Sequence, residues 1–121
     1  HERLRIAFLV KEGERVLVAQ LDCLVIGGEL RDAIRRAAGS GLRDDQLFLC
    51  ASHTHFGPGT DRAQPLLGVV DPAYVEWLAE RVGAAMQSLL AGPRRDACLR
   101  FGAADMPGAA VNRRLKRWRI A

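Results

Sequence analysis

Apolar and polar residues alternate between a two-residue and a helical period along this chain, and the switches mark its elements. Leu4 to Val10 reads as a strand and Arg15 to Asp22 as a second. Between them, Lys11-Glu12-Gly13-Glu14 is a polar turn with a glycine free to take a positive φ. A connection this short predicts an antiparallel hairpin. From Glu29 to Ala38 the spacing becomes helical: Leu30, Ala33, Ile34 and Ala37 share one face, and Arg31, Asp32, Arg35 and Arg36 point elsewhere. Gly39 and Gly41 end this helix, since glycine accepts the left-handed C-terminal conformation. Gln46 to Ser52 is a nearly continuous apolar run, the pattern of a strand covered on both faces.

Strand, helix and strand in this order predict a βαβ unit with its two strands parallel. The expected fold class is therefore α/β, a mixed sheet with an N-terminal hairpin. Ligands of open α/β sheets gather beyond the C-terminal ends of the parallel strands. Asp22 lies at that end of one strand, and His53 and His55 follow the other. Residues 56 to 70 form a long loop containing Gly57, Pro58, Gly59, Pro65 and Gly68. Asp71 can cap the next helix and Pro72 suits its first turn. That helix is expected to run to about Leu90, with Val75, Leu78, Val82, Ala85, Met86 and Leu89 as its apolar stripe. Tyr74 and Trp77 on it are assigned to packing. Gly92-Pro93 ends it, Ala97 to Ala103 reads as a further strand, and Met106 to Ala110 as a loop. No repeat or low-complexity segment interrupts the series.

A length of 121 residues suits one small domain, and 49% apolar content is enough for a core. No run approaches the ~20 residues of a membrane span, and no stretch reads as a signal peptide. The net charge of +4 is local: Arg113, Arg114, Lys116, Arg117 and Arg119 fall near the C-terminus, and without them 13 basic side chains face 14 acidic ones. With Trp118 this tail could grip phosphates, or simply form a solvated segment. No nucleic-acid fold accompanies it, so no specific nucleic-acid partner is expected. Cys23, Cys50 and Cys98 are odd in number and sit among apolar residues, which suggests three small core residues rather than a disulfide framework.

Chemistry concentrates at His53-Thr54-His55. On extended backbone an i, i+2 pair points to one side, with Thr54 facing the other. Two imidazoles so placed can share a zinc ion, or one can bind it while the other holds water or substrate; both can equally be polar residues at a strand end. The site is set at the ligand-binding edge of a parallel sheet. It is followed by Gly57-Pro58-Gly59, which lets backbone approach a ligand closely. A catalytic zinc needs about three protein ligands, and the remaining histidine, His1, has no supporting context. Asp22 could orient a metal-bound histidine, or bond local amides at its strand end.

The stretch Ala51-Ser52-His53-Thr54-His55-Phe56-Gly57-Pro58-Gly59 resembles the His-Thr-His-Ser-Gly-Pro-Gly signature of the neutral and alkaline non-lysosomal ceramidases. The order of Leu21-Asp22-Cys23, a helix, the Gly-rich loop, the helix opening Asp71-Pro72, and Val111-Asn112-Arg113 is similar as well, from about residue 15 to 114. The resemblance implies that His53 binds a catalytic zinc ion (Zn2+), that His55 acts beside it, and that Arg113 reaches the active site with Asn112 next to it. It places Gly57 against the substrate. It implies hydrolysis of a ceramide-like lipid amide to an amine, sphingosine in the family, and a fatty acid. It also implies contact with a membrane surface and a secreted or periplasmic location. A further histidine, a glutamate and a tyrosine complete the zinc shell much later in family members. The chain is accordingly expected, over residues 1–121, to be the N-terminal portion of such a catalytic domain, weakly active or inactive alone. Phe56 and Arg114 stand where the family has serines, which bears on substrate specificity more than on the metal.

Two other readings remain. HxH also follows a strand in metal hydrolases of the amidohydrolase class, but there on the first barrel strand with no βαβ unit before it. A non-catalytic module using the basic tail on an anionic surface is the other.

Overall fold

A computed structural model describes residues 4–11, 13–39 and 41–106. Strands β1 (Leu4–Lys11) and β2 (Glu14–Leu21) form the expected hairpin, with Leu4 opposite Leu21 and Lys11 opposite Glu14. Gly13 turns it at φ 87°, a conformation that side-chain-bearing residues resist. Helix α1 (Gly28–Ala38) crosses to β3 (Leu47–Ala51), which pairs parallel with β2 from Leu17–Leu47 to Leu21–Ala51. The sheet order is β1-β2-β3. Helix α2 (Pro72–Ala91) completes the described elements. The fold is thus the α/β class expected, with a mixed sheet, a hairpin and a βαβ unit.

Register explains where the core forms. Leu17, Ala19 and Leu21 of β2 point to the same side as Ile6 and Phe8 of β1 and Leu47, Leu49 and Ala51 of β3. These residues meet Leu30 and Ile34 of α1 and Val75, Val82 and Met86 of α2 in one cluster, so both helices lie on one face of the sheet. The helices approach closely at Gly83, where a Cβ would collide with Ala37. Gln87 of α2 also donates to the Ala37 carbonyl of α1 at 2.8 Å, satisfying an orphan acceptor of the last turn. Gly39 ends α1 in the left-handed region, its N–H donating to the Arg35 carbonyl. Asp71 caps α2 by accepting from the Ala73 amide at 2.9 Å, with Pro72 in the first turn, as expected.

Four expectations change. Residues 97 to 103 form no strand: the run has strand composition, but a strand exists only where a neighbour's amides pair with it, and Leu99 and Phe101 lie exposed. Among the described residues β3 is covered on one face only, and Phe48 and Cys50 face outward. Cys50 is therefore exposed, Cys98 is exposed in the unpaired segment 97–103, and only Cys23 belongs to the core. Third, β3 begins at Leu47, because Gln46 closes a 3-10 turn over Asp44–Gln46 in which its side chain accepts from the Arg43 amide. Fourth, the stripe of α2 drifts around the helix: Ala79 and Gly83 are buried against α1, whereas Leu89 is exposed.

Candidate functional site

The C-terminal ends of β2 and β3 release two loops side by side. The Ser52 amide still donates to the Leu21 carbonyl at 2.9 Å, one step beyond the paired strands. At His53 the chain then turns sharply, with φ 62°. This is the only described residue other than glycine with positive φ. Such a conformation costs of order 1–3 kcal/mol and persists where surrounding contacts hold it. The contact here is a hydrogen bond between His53 Nδ1 and the Leu24 carbonyl at 2.9 Å. A carbonyl can only accept, so Nδ1 carries a proton, and in the neutral ring Nε2 then holds the lone pair.

The expectation of an extended His-Thr-His segment is corrected by this turn. The two imidazoles are nevertheless brought together, ring centroids 5.1 Å apart and perpendicular. The left-handed turn, rather than strand alternation, juxtaposes them. Both side chains are exposed. Phe56 is fully exposed beside them, and Gly57 sits half-buried over the Asp22 carbonyl. Asn112 and Arg113, with the basic tail, lie outside the described residues.

The rest of the loop is clamped to the turn that leads into α1. Thr60, 1% exposed, donates its hydroxyl to the Val25 carbonyl. Arg62 pairs with Glu29 at 3.0 Å, and the Asp61 carboxylate packs on Gly27 so tightly that any Cβ there would collide. Gly59 bridges to Val70 in parallel; a side chain at 59 would meet the Val69 carbonyl at 3.0 Å. Leu24 and Thr60 had no sequence signal. Leu24 acts through its backbone, which every residue has, and a single threonine between Gly59 and Asp61 matches no motif.

A cleft of about 540 Å³ opens on the other side of the β2 terminus. Leu4, Leu21, Leu78 and Val82 make it apolar, and Asp22 and Arg81 bring charge to it. Trp77 stacks on Tyr74 at 5.8 Å and lies under the Arg81 guanidinium, consistent with a packing role at the edge of α2.

As metal ligands, the residues present fit in part. Imidazole suits zinc, and a ligating histidine almost always donates its other ring N–H to a carbonyl or carboxylate, as His53 does. The orienting acceptor is the Leu24 carbonyl. Among the described residues, no group of three or more His, Cys, Asp or Glu side chains is placed to hold a metal ion.

The site thus belongs to a small α/β domain with two histidines beyond the C-terminal ends of its parallel strands. No family model, curated protein or solved structure matches the chain.

Proposed function

We propose that this chain carries part of the active site of a zinc-dependent amide hydrolase similar to the neutral ceramidases, acting on ceramide-like lipid amides. The observation that carries the reading is the His53 ring, held by Leu24 with Nε2 free and His55 beside it. His53 holds the metal; His55 orients substrate or moves a proton at the scissile amide, 5.1 Å from its neighbour ring centre to centre. Gly57 lets the substrate approach the backbone, and Asn112 and Arg113 supply polar contacts and a cation for the developing oxyanion. Zinc, when bound, would supply Lewis acidity and a water acidic enough to react near neutral pH.

The remaining ligands come from further chain of the same catalytic domain. The open sheet face supports this, since α/β sheets with parallel strands are ordinarily layered on both faces and Leu9 and Phe48 are exposed. Contact with the substrate's bilayer is part of the same proposal; among the described residues no helix is long and apolar enough to cross a membrane. The βαβ unit before the histidines favours this reading over a barrel-type metal hydrolase.

Zinc titration with elemental analysis tests it. The chain is expected to take up stoichiometric zinc weakly, and His53→Ala to weaken uptake at least ~10-fold, the usual cost of disturbing a metal shell. Equal uptake by both forms would remove His53 as a ligand.

A further inference from the structure

We propose that Thr60 is a positioning residue for His53: its buried hydroxyl fixes the carbonyl strut that sets the imidazole tautomer. Two adjacent carbonyls of the turn after β2 receive the two contacts. Leu24 accepts from His53 Nδ1 at 2.9 Å, and Val25 accepts from the Thr60 hydroxyl. Consecutive peptide planes share one Cα, so the orientation of the Val25 carbonyl constrains that of Leu24.

Thr60 is itself fixed from behind. Gly59 bridges to Val70, the residue before the Asp71 cap of α2. The support therefore runs from the N-terminus of α2 through Gly59 and Thr60 to the strut, and from the strut to His53. Thr60 is 1% exposed, so little water is available to replace its hydroxyl at Val25. The exposed His53 ring, by contrast, can exchange its Nδ1 contact for solvent once the strut moves. Only the protonated-Nδ1 tautomer leaves Nε2 as a lone-pair donor aimed away from the backbone. The hydroxyl thus selects which nitrogen is available to a ligand without touching that ligand. The consequence for zinc rests on the function proposed above; the tautomer selection rests on the hydrogen bonds alone.

The test compares Thr60→Val, which keeps the shape and removes the hydroxyl, with Thr60→Ser, which keeps the hydroxyl. Val25 retains the Cys23 thiol at 3.5 Å as a second donor, so the valine variant is expected to fold. Thr60→Ala serves if it does not. The imidazole nitrogens of metal-free, nitrogen-15 histidine-labelled full chain are read by NMR under conditions where the rings are neutral. Wild type and Thr60→Ser are expected to show His53 protonated at Nδ1, and Thr60→Val a shift toward the Nε2-protonated form. Zinc alone, added next, is expected to bind the valine variant about 10-fold to 100-fold more weakly and the serine variant normally. A wild-type His53 protonated at Nε2, or folded Thr60→Val and Thr60→Ala variants with an unchanged tautomer, would overturn the proposal. A tautomer switch without zinc binding in any form would sustain Thr60's role while sinking the zinc reading. Zinc binding through His53 that ignores the valine change would do the reverse.

Discussion

The two faces of the sheet are built from the same strands and meet opposite fates. On one face Leu17, Ala19 and Leu21 are sealed under α1 and α2, with Ile34 and Met86 fully buried. On the other, Val16 and Val18 are half-buried, Cys50 is exposed, and Phe48 keeps 51% of its surface in solvent. The outward face carries Arg5, Lys11, Glu14 and Gln20 among its apolar residues and the inward face only Arg15, so the alternation along the strands already favours one face for the core. Helices α1 and α2 both return to that face, the first through the short connection 22–27 and the second through the long loop 52–71. Side-chain alternation makes one face core and the other surface, and a one-residue slip would exchange them.

The largest break in this comparison is expected at Ile34→Ala. The side chain is fully buried between α1 and the sheet, and such a truncation costs about 2–5 kcal/mol through lost transfer energy and a residual cavity. Urea unfolding should show a lower midpoint with an unchanged slope. On the opposite face, Phe48→Ser should cost only about 1 kcal/mol, since half of the ring already sees water. It should also lower binding of an apolar dye to the folded protein. A loss at position 48 as large as that at 34 would show that the outer face is covered in solution.

The smallest effect belongs to the exposed rim. Arg43 grips Asp45 through two hydrogen bonds of 3.0 and 3.1 Å and holds its carboxyl below the usual carboxylate range. Because the folded-state value is depressed, the stabilisation is present above the ordinary carboxylate value of about 3.9 and is lost as pH falls through the depressed one. The stability gap between wild type and Asp45→Asn should therefore be slight at neutral pH, shrink in acid and fade in high salt. A gap that widens in acid would contradict the assignment.

Local periodicity made much of the fold legible. The hairpin, α1, β3 and α2 follow from runs that carry their own period and their own stop signals, such as Gly39 and Asp71-Pro72. The parallel pairing of β2 and β3 follows from chain order and the handedness of crossovers. The segment 97–103 shows the limit of this reading. Its composition suits a strand, but pairing needs a neighbour that only the assembled structure supplies, and among the described residues none pairs with it. Cys50 fails for the same reason, because an apolar strand does not state how many of its faces are covered.

At the site, the sequence determined which chemistry is on offer: two imidazoles two residues apart, beyond a parallel strand, followed by glycines that permit close approach. Tertiary structure decided how they are presented. His53 adopts a left-handed conformation that its identity does not dictate, its ring is held by the backbone of Leu24, and the adjoining Val25 carbonyl is braced by Thr60 from 35 residues further along the chain. Carbonyl groups are common to every residue and hydroxyls to many. Which of them meet is set by packing, and no side-chain pattern along the chain records it.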